Sequence, residues 1–441
     1  MQIEIPNTRK ARVVIIGGGF GGIQVAKMLQ NKDVQVVIVD KNNYHTFQPL
    51  LYQVATSSLE AESIAYPIRK IFNGSKNLFF RLGEVTFVDI ERKVIEFGND
   101  SLSYDYLVIA SGAKTNFYNN EGLIISAMTM KSILESLDLR TMLLQNFERA
   151  LLINNERKKQ GMLNVVIAGA GPTGVELAGA LGELKRSVFP KDYPELDLEK
   201  MNIYLVQSGD RVLPMLSSKL SEKAKKYLER LGVTVVLNTK VLDFFGDYVQ
   251  TSTGEDIIAK TLIWTAGVKG NPIKGLQEEV INKSGRIIVD EFNQVKGLKD
   301  VFAIGDVACM ETEDYRTGHP QVAQVAIQQG KRLGNNLSNK ICKNKQFVPF
   351  KYKHKGSMAT VGKNRALVEI GNLKVGGFIA WSVWMVVHLM SLIGFRNKVV
   401  TLLNWMKKYF SSDSGMRLII NHFDLQEEKR KRRKEFESRL K

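Results

Sequence analysis

Hydrophobic and polar positions along the chain form two similar units of strand, glycine turn, helix and strand. In the first, residues 13–16 are all apolar and predict a buried strand, and a glycine-rich turn separates it from a helix over 23–29 and a second strand over 34–39. The same order recurs between residues 165 and 206. Two βαβ units of this kind predict two nucleotide-binding domains, each built on a parallel sheet.

Further elements follow from the same pattern. They are a helix over 131–148, buried strands over 233–237, 261–265 and 301–304, and a helix over 322–337. Pro320 is predicted as the first residue of that last helix, because proline fits the first helical position.

The last hundred residues have a different pattern. Residues 375–395 contain no Asp, Glu, Lys or Arg, and residues 399–410 alternate apolar and basic positions at helical spacing. The first stretch is just long enough to cross a membrane core of ~30 Å. Its glycines and serines, and the amphipathic stretch after it, favour a segment that lies in the membrane interface. The charged tail, 426–441, predicts a solvated helix or disorder.

Composition narrows the class of protein. The chain has 441 residues, of which 44% are hydrophobic and 24% charged, and this excludes global disorder and a protein of many membrane spans. Its two cysteines, Cys309 and Cys342, form no CxxC pair, which excludes a disulfide framework, an iron–sulfur cluster and a cysteine-rich zinc site.

The net charge of +17 is concentrated in one block. Residues 315–412 hold sixteen Lys and Arg but a single acid, Glu369, whereas residues 1–314 are close to neutral. A block of this kind predicts an anionic partner, which is a membrane, a nucleic acid or an acidic protein.

The first glycine turn fits the GxGxxG pattern with Gly17, Gly19 and Gly22, and Asp40 ends the next strand. This pattern brings a pyrophosphate onto a helix N-terminus, and an acid at this place accepts hydrogen bonds from the ribose of an adenosine. A purely structural glycine turn is the alternative. The strand, helix and acid together favour dinucleotide binding.

The second turn fits with Gly169, Gly171 and Gly174, but its following strand ends in Gln207. Glutamine can hydrogen-bond a ribose without repelling a 2′-phosphate, so we expect NADH there, with NADPH possible. Alternatively Gln207 only caps the strand. Two dinucleotide domains in one chain indicate a flavin stacked against a nicotinamide.

Several segments resemble one family, the type II NADH:quinone oxidoreductases, from about residue 11 to about residue 404. The segments are IIGGGFGG (15–22), NYHTFQPLLYQVAT (43–56), YDYLVIASGA (104–113), GAGPTGVELAGAL (169–181), TLIWTAGVKGNP (261–272), VFAIGD (301–306), AQVAIQQG (323–330) and AWSVWMVVHLMSLIGFRNK (380–398). The resemblance implies an α/β fold with two Rossmann-type domains and a C-terminal membrane-associated helical segment.

It also implies a set of cofactor-binding residues. FAD would be held by the first turn, by Asp40 and by Asp306, which would accept hydrogen bonds from the ribityl chain. The FAD residues implied are Gly17, Gly19, Phe20, Gly22, Asp40, Gln48, Ala110, Ser111, Gly112, Asp306, Gln324 and Val325. The nicotinamide cofactor would contact Gly169, Gly171, Thr173, Gly174, Gln207 and Gly267.

Four residues are expected to carry the reaction. Glu176 would position the nicotinamide, or else it is only a carboxylate at a helix N-terminus. Gln324 and Gln328 lie four residues apart on one helix face and would hydrogen-bond a quinone, or else they belong to an amphipathic surface helix. Lys374 would approach the quinone, or else it is an interfacial lysine.

The resulting hypothesis is a membrane-bound flavoprotein that oxidises NADH and reduces a quinone by two electrons, without proton pumping, for a respiratory chain. The resemblance places it at the cytoplasmic face of the inner membrane, peripheral, on anionic lipid and as a homodimer. The expected parts are an FAD domain in two pieces (1–120 and 276–340, the latter with the quinone helix), an NAD(P)H domain (121–275), a membrane-anchoring region (341–424) and a charged tail (425–441).

Three rivals remain less favoured. A sulfide:quinone oxidoreductase or a disulfide reductase needs redox cysteines near the flavin, and Cys342 is isolated from Cys309 in the sequence. A nucleotide-sensing protein that binds nucleic acid would explain the basic block. The tryptophan-rich apolar segment inside that block argues against nucleic acid. The histidines have no metal-ligand spacing, so His388 and the tryptophans are interpreted as packing or interface residues.

Overall fold

The fold comes from a computed structural model that describes residues 5–6, 8–411, 417–419 and 423–440. The strands are β1 (Arg12–Ile16), β2 (Gln35–Asp40), β3 (Tyr44–Thr46), β4 (Ala65–Pro67), β5 (Leu78–Leu82), β6 (Val85–Asp89), β7 (Val94–Phe97), β8 (Asp100–Ser103), β9 (Tyr106–Ile109), β10 (Ala113–Thr115), β11 (Val165–Ala168), β12 (Ile203–Val206), β13 (Val233–Val236), β14 (Val241–Phe244), β15 (Tyr248–Thr251), β16 (Ile257–Ile258), β17 (Thr261–Trp264), β18 (Val268–Gly270), β19 (Ile287–Ile288), β20 (Val301–Ala303), β21 (Ala308–Cys309), β22 (Ser357–Thr360), β23 (Ala366–Ile370) and β24 (Leu373–Gly377). The α-helices are α1 (Phe20–Leu29), α2 (Leu51–Ala55), α3 (Ala61–Ile64), α4 (Ile68–Ile71), α5 (Glu121–Ser126), α6 (Ile133–Leu151), α7 (Glu156–Leu163), α8 (Pro172–Ser187), α9 (Phe189–Asp192), α10 (Ser218–Arg230), α11 (Ala323–Lys343), α12 (Phe378–Ser391), α13 (Phe395–Ser411) and α14 (Leu425–Leu440).

The chain divides into two compact units, and each takes its residues from separate stretches of sequence. The first unit comprises residues 1–46, 65–114 and 268–355, and the second comprises residues 47–64, 115–267 and 356–441.

The core of the first unit is a five-stranded parallel sheet in the order β20-β9-β1-β2-β5. The inner strands are nearly continuous runs of Val and Ile because both faces of the sheet are covered. Helix α1 returns the chain from β1 to β2, which pair in parallel from Arg12–Gln35 to Ile16–Val39. Helix α11 packs against α1. This is the first predicted Rossmann-type domain.

The second unit repeats the plan with a four-stranded parallel sheet in the order β13-β12-β11-β17. Helix α8 connects β11 to β12, and α10 connects β12 to β13. A small antiparallel sheet, β14-β15-β16, lies between β13 and β17 in sequence. The prediction of two α/β domains of one kind is therefore confirmed.

The uncharged stretch 375–395 forms two different elements. Its first residues complete β24, which pairs with β23, and Gly377 then turns the chain at a φ of +105° into α12. Helix α12 has 14 residues, so it is about 21 Å long at 1.5 Å per residue, well short of a membrane core. No helix among the described residues is long and apolar enough to span a membrane.

The structure describes only part of the predicted C-terminal regions. Residues 412–416 and 420–422 of the membrane-anchoring region, and residue 441 of the tail, lie outside the described residues. Most of the tail forms helix α14. Within it, Arg432 pairs with Glu428 at 3.1 Å and donates to the carbonyl of Ala127 at 2.8 Å.

Candidate functional site

The first glycine turn has the geometry that a bound pyrophosphate requires. Gly17 has a φ of +106° and lies against the main chain of Ala110, and a Cβ at Gly22 would collide with the carbonyl of Gly17. A Cβ at Gly19, by contrast, would meet nothing within 4 Å. The first and third glycines therefore allow the tight turn and the helix packing, and the second leaves open space over the N-terminus of α1.

Asp40 closes the turn from the neighbouring strand. Its Oδ2 accepts a hydrogen bond from the Gly18 N–H at 2.6 Å, and its Oδ1 accepts one from the Asn42 N–H at 2.7 Å. Burial raises the pKa of Asp40, and these two bonds oppose that shift. A carboxylate oxygen has more than one lone pair, so Asp40 can also accept a hydrogen bond from a ribose hydroxyl.

The other predicted flavin residues of the first unit lie after strands β9 and β20 and on helices α1 and α11. Ser111 Oγ donates to the carbonyl of Asn271 at 2.7 Å, and Gly112 has a φ of +71° with open space at its Cβ position. Asp306 lies in a short 3₁₀ turn after β20. Phe20 is the first residue of α1, and Val325 is buried in α11. Gln48 belongs to the second unit, where it is exposed.

Helix α11 begins at Ala323, so the prediction that Pro320 is its first residue was wrong. Gln321 precedes the helix, and its Nε2 donates to the carbonyl of Asp306 at 2.9 Å. This bond ties the entry of α11 back to the turn after β20.

Gln324 and Gln328 share one face of α11, as predicted, and that face lies along residues 353–355. Gln324 Oε1 accepts from the Lys355 N–H at 3.0 Å, and Gln328 both donates to the Lys353 carbonyl and accepts from its N–H. Their quinone contact stays a prediction, and any ligand there competes with these main-chain bonds.

Gln329 follows Gln328 in the AQVAIQQG segment, but its surroundings differ from those of Gln324 and Gln328. Its side chain is buried, and its Oε1 accepts from the Gly305 N–H at 2.7 Å. In the sequence nothing separates Gln329 from the other glutamines of this segment. In the structure it differs from them because it lies on the buried face of α11.

The second glycine turn repeats the geometry of the first. Gly169 has a φ of +102°, Gly174 packs on the carbonyl of Gly169, and a Cβ at Gly171 would meet nothing within 4 Å. Gln207 occupies the place of Asp40, and its Oε1 accepts from the Ala170 N–H at 2.9 Å. The amide group then presents its Nε2 as a donor, whereas a carboxylate presents only acceptors.

Two further predicted residues line this part of the second unit. Thr173 is exposed in the first turn of α8. Gly267 follows β17 with a φ of +125°, and its carbonyl accepts from the Asn116 N–H at 3.1 Å.

Glu176 is a buried carboxyl group inside the second unit, beyond the first turn of α8. Burial raises the pKa of Glu176 to about 8, although its Oε1 accepts from the Thr360 N–H at 3.3 Å. The indole N–H of Trp384 also favours the ionised carboxyl, yet no described residue accepts a hydrogen bond from this N–H at good geometry. The raised pKa favours the protonated form of Glu176 at pH 7, and this form can donate a hydrogen bond.

A cavity of about 590 Å³, including its open mouth, adjoins Glu176. Its lining residues are Tyr52, Gln53, Glu176, Ala180, Glu183, Thr360, Gly362, Lys363, Trp381, Trp384, Met385, Trp405, Lys408 and Tyr409. It combines an aromatic wall with a few polar groups, which is usual for a small-molecule site.

A chain of hydrogen bonds runs along this wall. Trp405 Nε1 donates to Gln53 Oε1 at 2.8 Å, Gln53 Nε2 donates to Tyr52 Oη at 2.9 Å, and Tyr52 Oη meets Thr360 Oγ1 at 3.0 Å. The sequence analysis interpreted the tryptophans only as packing or interface residues. Trp384 and Trp405 do pack, at 5.8 Å between rings, but they also line the cavity.

Lys374 lies elsewhere in the second unit. It is on β24, where its Nζ pairs with Glu369 at 3.5 Å. Lys363 and Lys408 are the lysines that line the cavity. His388 stacks on Trp384 at 3.9 Å, its Nδ1–H donates to the Trp384 carbonyl, and burial lowers the pKa of His388 to about 4.

Comparisons with known proteins agree with this geometry. Residues 11–330 match the pyridine nucleotide-disulphide oxidoreductase family, and residues 354–412 match the NDH2 C-terminal domain. The chain is 35% identical over 421 residues to the type II NADH:quinone oxidoreductase Ndh of Mycobacterium tuberculosis, covering 92% of this chain and 90% of that protein. The chain belongs to the type II NADH:quinone oxidoreductases.

A second relative supports this membership, and a solved structure shares the fold. A type II NADH:quinone oxidoreductase of Haemophilus influenzae is 31% identical over 395 residues, covering 82% of this chain and 87% of that protein. The structure of NDH2 from Plasmodium falciparum in complex with NADH shares the fold at a TM-score of 0.85, with 22% identity and coverage of 94% and 100%. As a member of this family, the chain is an enzyme that oxidises NADH and reduces a quinone, and it uses a flavin.

A sulfide:quinone oxidoreductase from Aquifex aeolicus also shares the fold, at a TM-score of 0.69 and 20% identity over 91% of this chain and 95% of that chain. Both cysteines of the present enzyme are free thiols, with Cys309 buried and Cys342 exposed. A shared fold alone does not show that the present enzyme oxidises sulfide.

Proposed function

We propose that the enzyme holds FAD in its first unit, takes NADH in its second and reduces a membrane quinone by two electrons without pumping protons, as an entry point to a respiratory chain. The observation that supports this most is the repeated glycine turn. In each unit the middle glycine faces open space over a helix N-terminus, and a side chain from the next strand holds the turn.

FAD fits the first unit because the turn is of the dinucleotide type. Gly17, Gly19 and Gly22 leave room for a pyrophosphate, and Asp40 would bind the adenosine ribose. The remaining residues proposed to hold it in the first unit are Phe20, Ala110, Ser111, Gly112, Asp306, Gln324 and Val325. A bound FAD would supply the redox chemistry that links two-electron oxidation of NADH to two-electron reduction of the quinone.

NADH would occupy the second turn, with Gly169, Gly171, Thr173, Gly174 and Gly267 around it. Gln207 Nε2 would donate to the adenosine ribose, and it would tolerate the 2′-phosphate of NADPH for the same reason. Glu176 would position the nicotinamide, because a neutral buried carboxyl can donate a hydrogen bond to an amide oxygen.

The quinone would bind at Gln324 and Gln328 on helix α11. A quinone carbonyl is an acceptor, so it would take an amide N–H such as Gln328 Nε2, which now donates to the Lys353 carbonyl. The exchange of one acceptor for another makes quinone binding possible without leaving a donor unpaired.

Steady-state kinetics of Gln328→Leu tests this placement. We expect its KM for a short-chain quinone to rise about tenfold, the effect of one lost hydrogen bond. Turnover of NADH with ferricyanide, which bypasses the quinone, should stay within about twofold. Gln160→Leu on helix α7 is the control. An unchanged quinone KM would contradict the role of Gln328.

We also propose that α12 and α13 lie in the plane of a membrane surface. Their exposed side chains are mostly apolar: Phe378, Ile379, Val383, Val386, Val387, Met390, Phe395, Val399, Leu402, Leu403, Met406 and Phe410. Arg396 and Lys407 are exposed among them, and basic residues attract anionic headgroups by ~1 kcal/mol each. The enzyme would thus be peripheral. Its position at the cytoplasmic face of an inner membrane and its homodimeric state are proposed from the family resemblance.

Liposome flotation tests the membrane contact. The double variant Ile379→Glu, Val386→Glu should float markedly less than the wild type with vesicles containing anionic lipid. Leu134→Glu, which changes an exposed leucine on α6, should float as the wild type does. Equal flotation of all three proteins would refute the proposed surface.

A further inference from the structure

Arg286 is a buried cation that the proposed function does not use. Arg286 is only 7% exposed. Among the described residues it forms no ion pair, and burial disfavours its charged form, although Asp306 lies near enough to favour that form. A buried charge without a counter-ion is unfavourable unless hydrogen bonds hold it, so the bonds of this guanidinium indicate what it does.

Arg286 joins the two ends of the loop that leads from Asp306 to helix α11. Its Nε and Nη2 donate to the carbonyl of Ala308 at 2.9 and 2.5 Å, and Nη2 also donates to the carbonyl of His319 at 2.8 Å. Ala308 lies two residues after Asp306, and His319 lies two residues before Gln321. One planar side chain therefore fixes the distance between the two ends.

The loop itself is built to approach Arg286 closely. Gly318 has a φ of +85°, and a Cβ there would lie 2.6 Å from Cys309 Sγ and 3.1 Å from Arg286 Nη1. His319 Nδ1 donates to the carbonyl of Met310 at 3.1 Å. These contacts close the loop around the guanidinium from both sides.

We propose that Arg286 is a positioning residue for the flavin and quinone sites of the first unit. By holding Ala308 and His319 together, it sets the position of Asp306 relative to Gln321 and the start of α11. The inference rests on the proposed function, which places the flavin at Asp306 and the quinone on α11. Arg286 acts through these residues and need not touch either ligand.

Two substitutions in the full chain, loaded with FAD, test this role. Arg286→Met removes all three hydrogen bonds, and Arg286→Lys keeps the charge but lacks the planar fork that reaches two carbonyls. For Arg286→Met we expect flavin to dissociate about tenfold faster and the quinone KM to rise about fivefold. The release of flavin is measured by the fluorescence of the free flavin. The NADH KM measured with ferricyanide should stay within about twofold, and Arg286→Lys should be intermediate.

Arg69→Met is the matched control, because Arg69 also donates to a main-chain carbonyl of the same unit, that of Phe80 at 3.2 Å. If Arg286→Met does not fold, Gly318→Ala should give the same kinetic signature, since its Cβ displaces the loop while Arg286 stays. A variant with lower thermal stability but unchanged flavin release and quinone KM would overturn the proposal, because that is the result of a purely structural role.

Asp306→Ala separates this inference from the function on which it rests. If Asp306→Ala releases flavin and Arg286→Met retains it, only the role of Arg286 is wrong. If neither variant changes flavin release, the placement of the flavin at Asp306 is wrong as well.

Discussion

The buried carboxyl of Glu176 makes a quantitative prediction about stability and pH. In the unfolded chain this group loses its proton near its ordinary pKa of 4.5, but in the folded enzyme it keeps the proton until about pH 8. The unfolded state therefore binds fewer protons between these values, and the free energy of unfolding must fall as the pH rises. A full pH unit inside this window changes it by about 1.4 kcal/mol.

Glu176→Gln removes this titration and keeps an acceptor for the Thr360 N–H. Between pH 6 and pH 8 the wild type should lose about 2 kcal/mol relative to the variant, because the folded group is itself half ionised at the upper limit. We expect the two proteins to have similar free energies of unfolding at low pH. As the pH rises, the variant should become increasingly more stable than the wild type. Thermal unfolding at several pH values, with saturating FAD, measures the difference.

Glu222→Gln is the control for this experiment. Glu222 is exposed and pairs with Lys226 at 2.8 Å, which lowers its pKa, so its contribution is already complete above pH 5. Its stability curve should run parallel to that of the wild type from pH 6 to pH 8. If the Glu176→Gln curve is also parallel, the carboxyl is ionised in the folded enzyme, and the reasoning about its burial is refuted.

Two more predictions concern the cofactor and the cavity. Gln207→Glu should abolish activity with NADPH and preserve it with NADH, because a carboxylate repels the 2′-phosphate; an unchanged ratio of the two activities would show that Gln207 does not select the cofactor. Trp405→Phe should lower the free energy of unfolding by about 1 kcal/mol, because it loses the hydrogen bond to Gln53. Trp381→Phe should lower it less, because the Trp381 ring packs on Tyr409 and the substitution keeps an aromatic ring there. A larger loss of stability in Trp381→Phe than in Trp405→Phe would contradict the role of the Trp405–Gln53 hydrogen bond in the cavity wall.

The parts of the fold that depend on neighbouring residues could be predicted from the sequence. Both glycine turns, with Asp40 and Gln207 at the ends of the next strands, lie where the pattern places them. Each glycine acts within a few residues of chain or against the adjacent strand, and such constraints are local.

Features set by distant contacts could not be predicted in this way. Pro320 looked like a helix start, but Gln321 is drawn back to Asp306 and α11 begins at Ala323. The uncharged stretch 375–395 gave no sign that its first residues pair with β23 before Gly377 turns the chain.

The surroundings of Glu176 are also set by distant contacts. Thr360 and Trp384 reach it from more than 180 residues away in the sequence. Its burial and raised pKa follow from those contacts, and no local pattern around GVELAG reveals them. The C-terminal residues are therefore part of this site as well as candidates for membrane contact.

The central claim is that electrons from NADH pass through one flavin to a quinone as a pair. The most direct measurement is the amount of quinol formed per NADH oxidised by the purified full-length enzyme, loaded with FAD and supplied with a short-chain quinone. We expect one quinol for each NADH. Oxidation of NADH without matching quinol, with the electrons recovered as hydrogen peroxide, would contradict it.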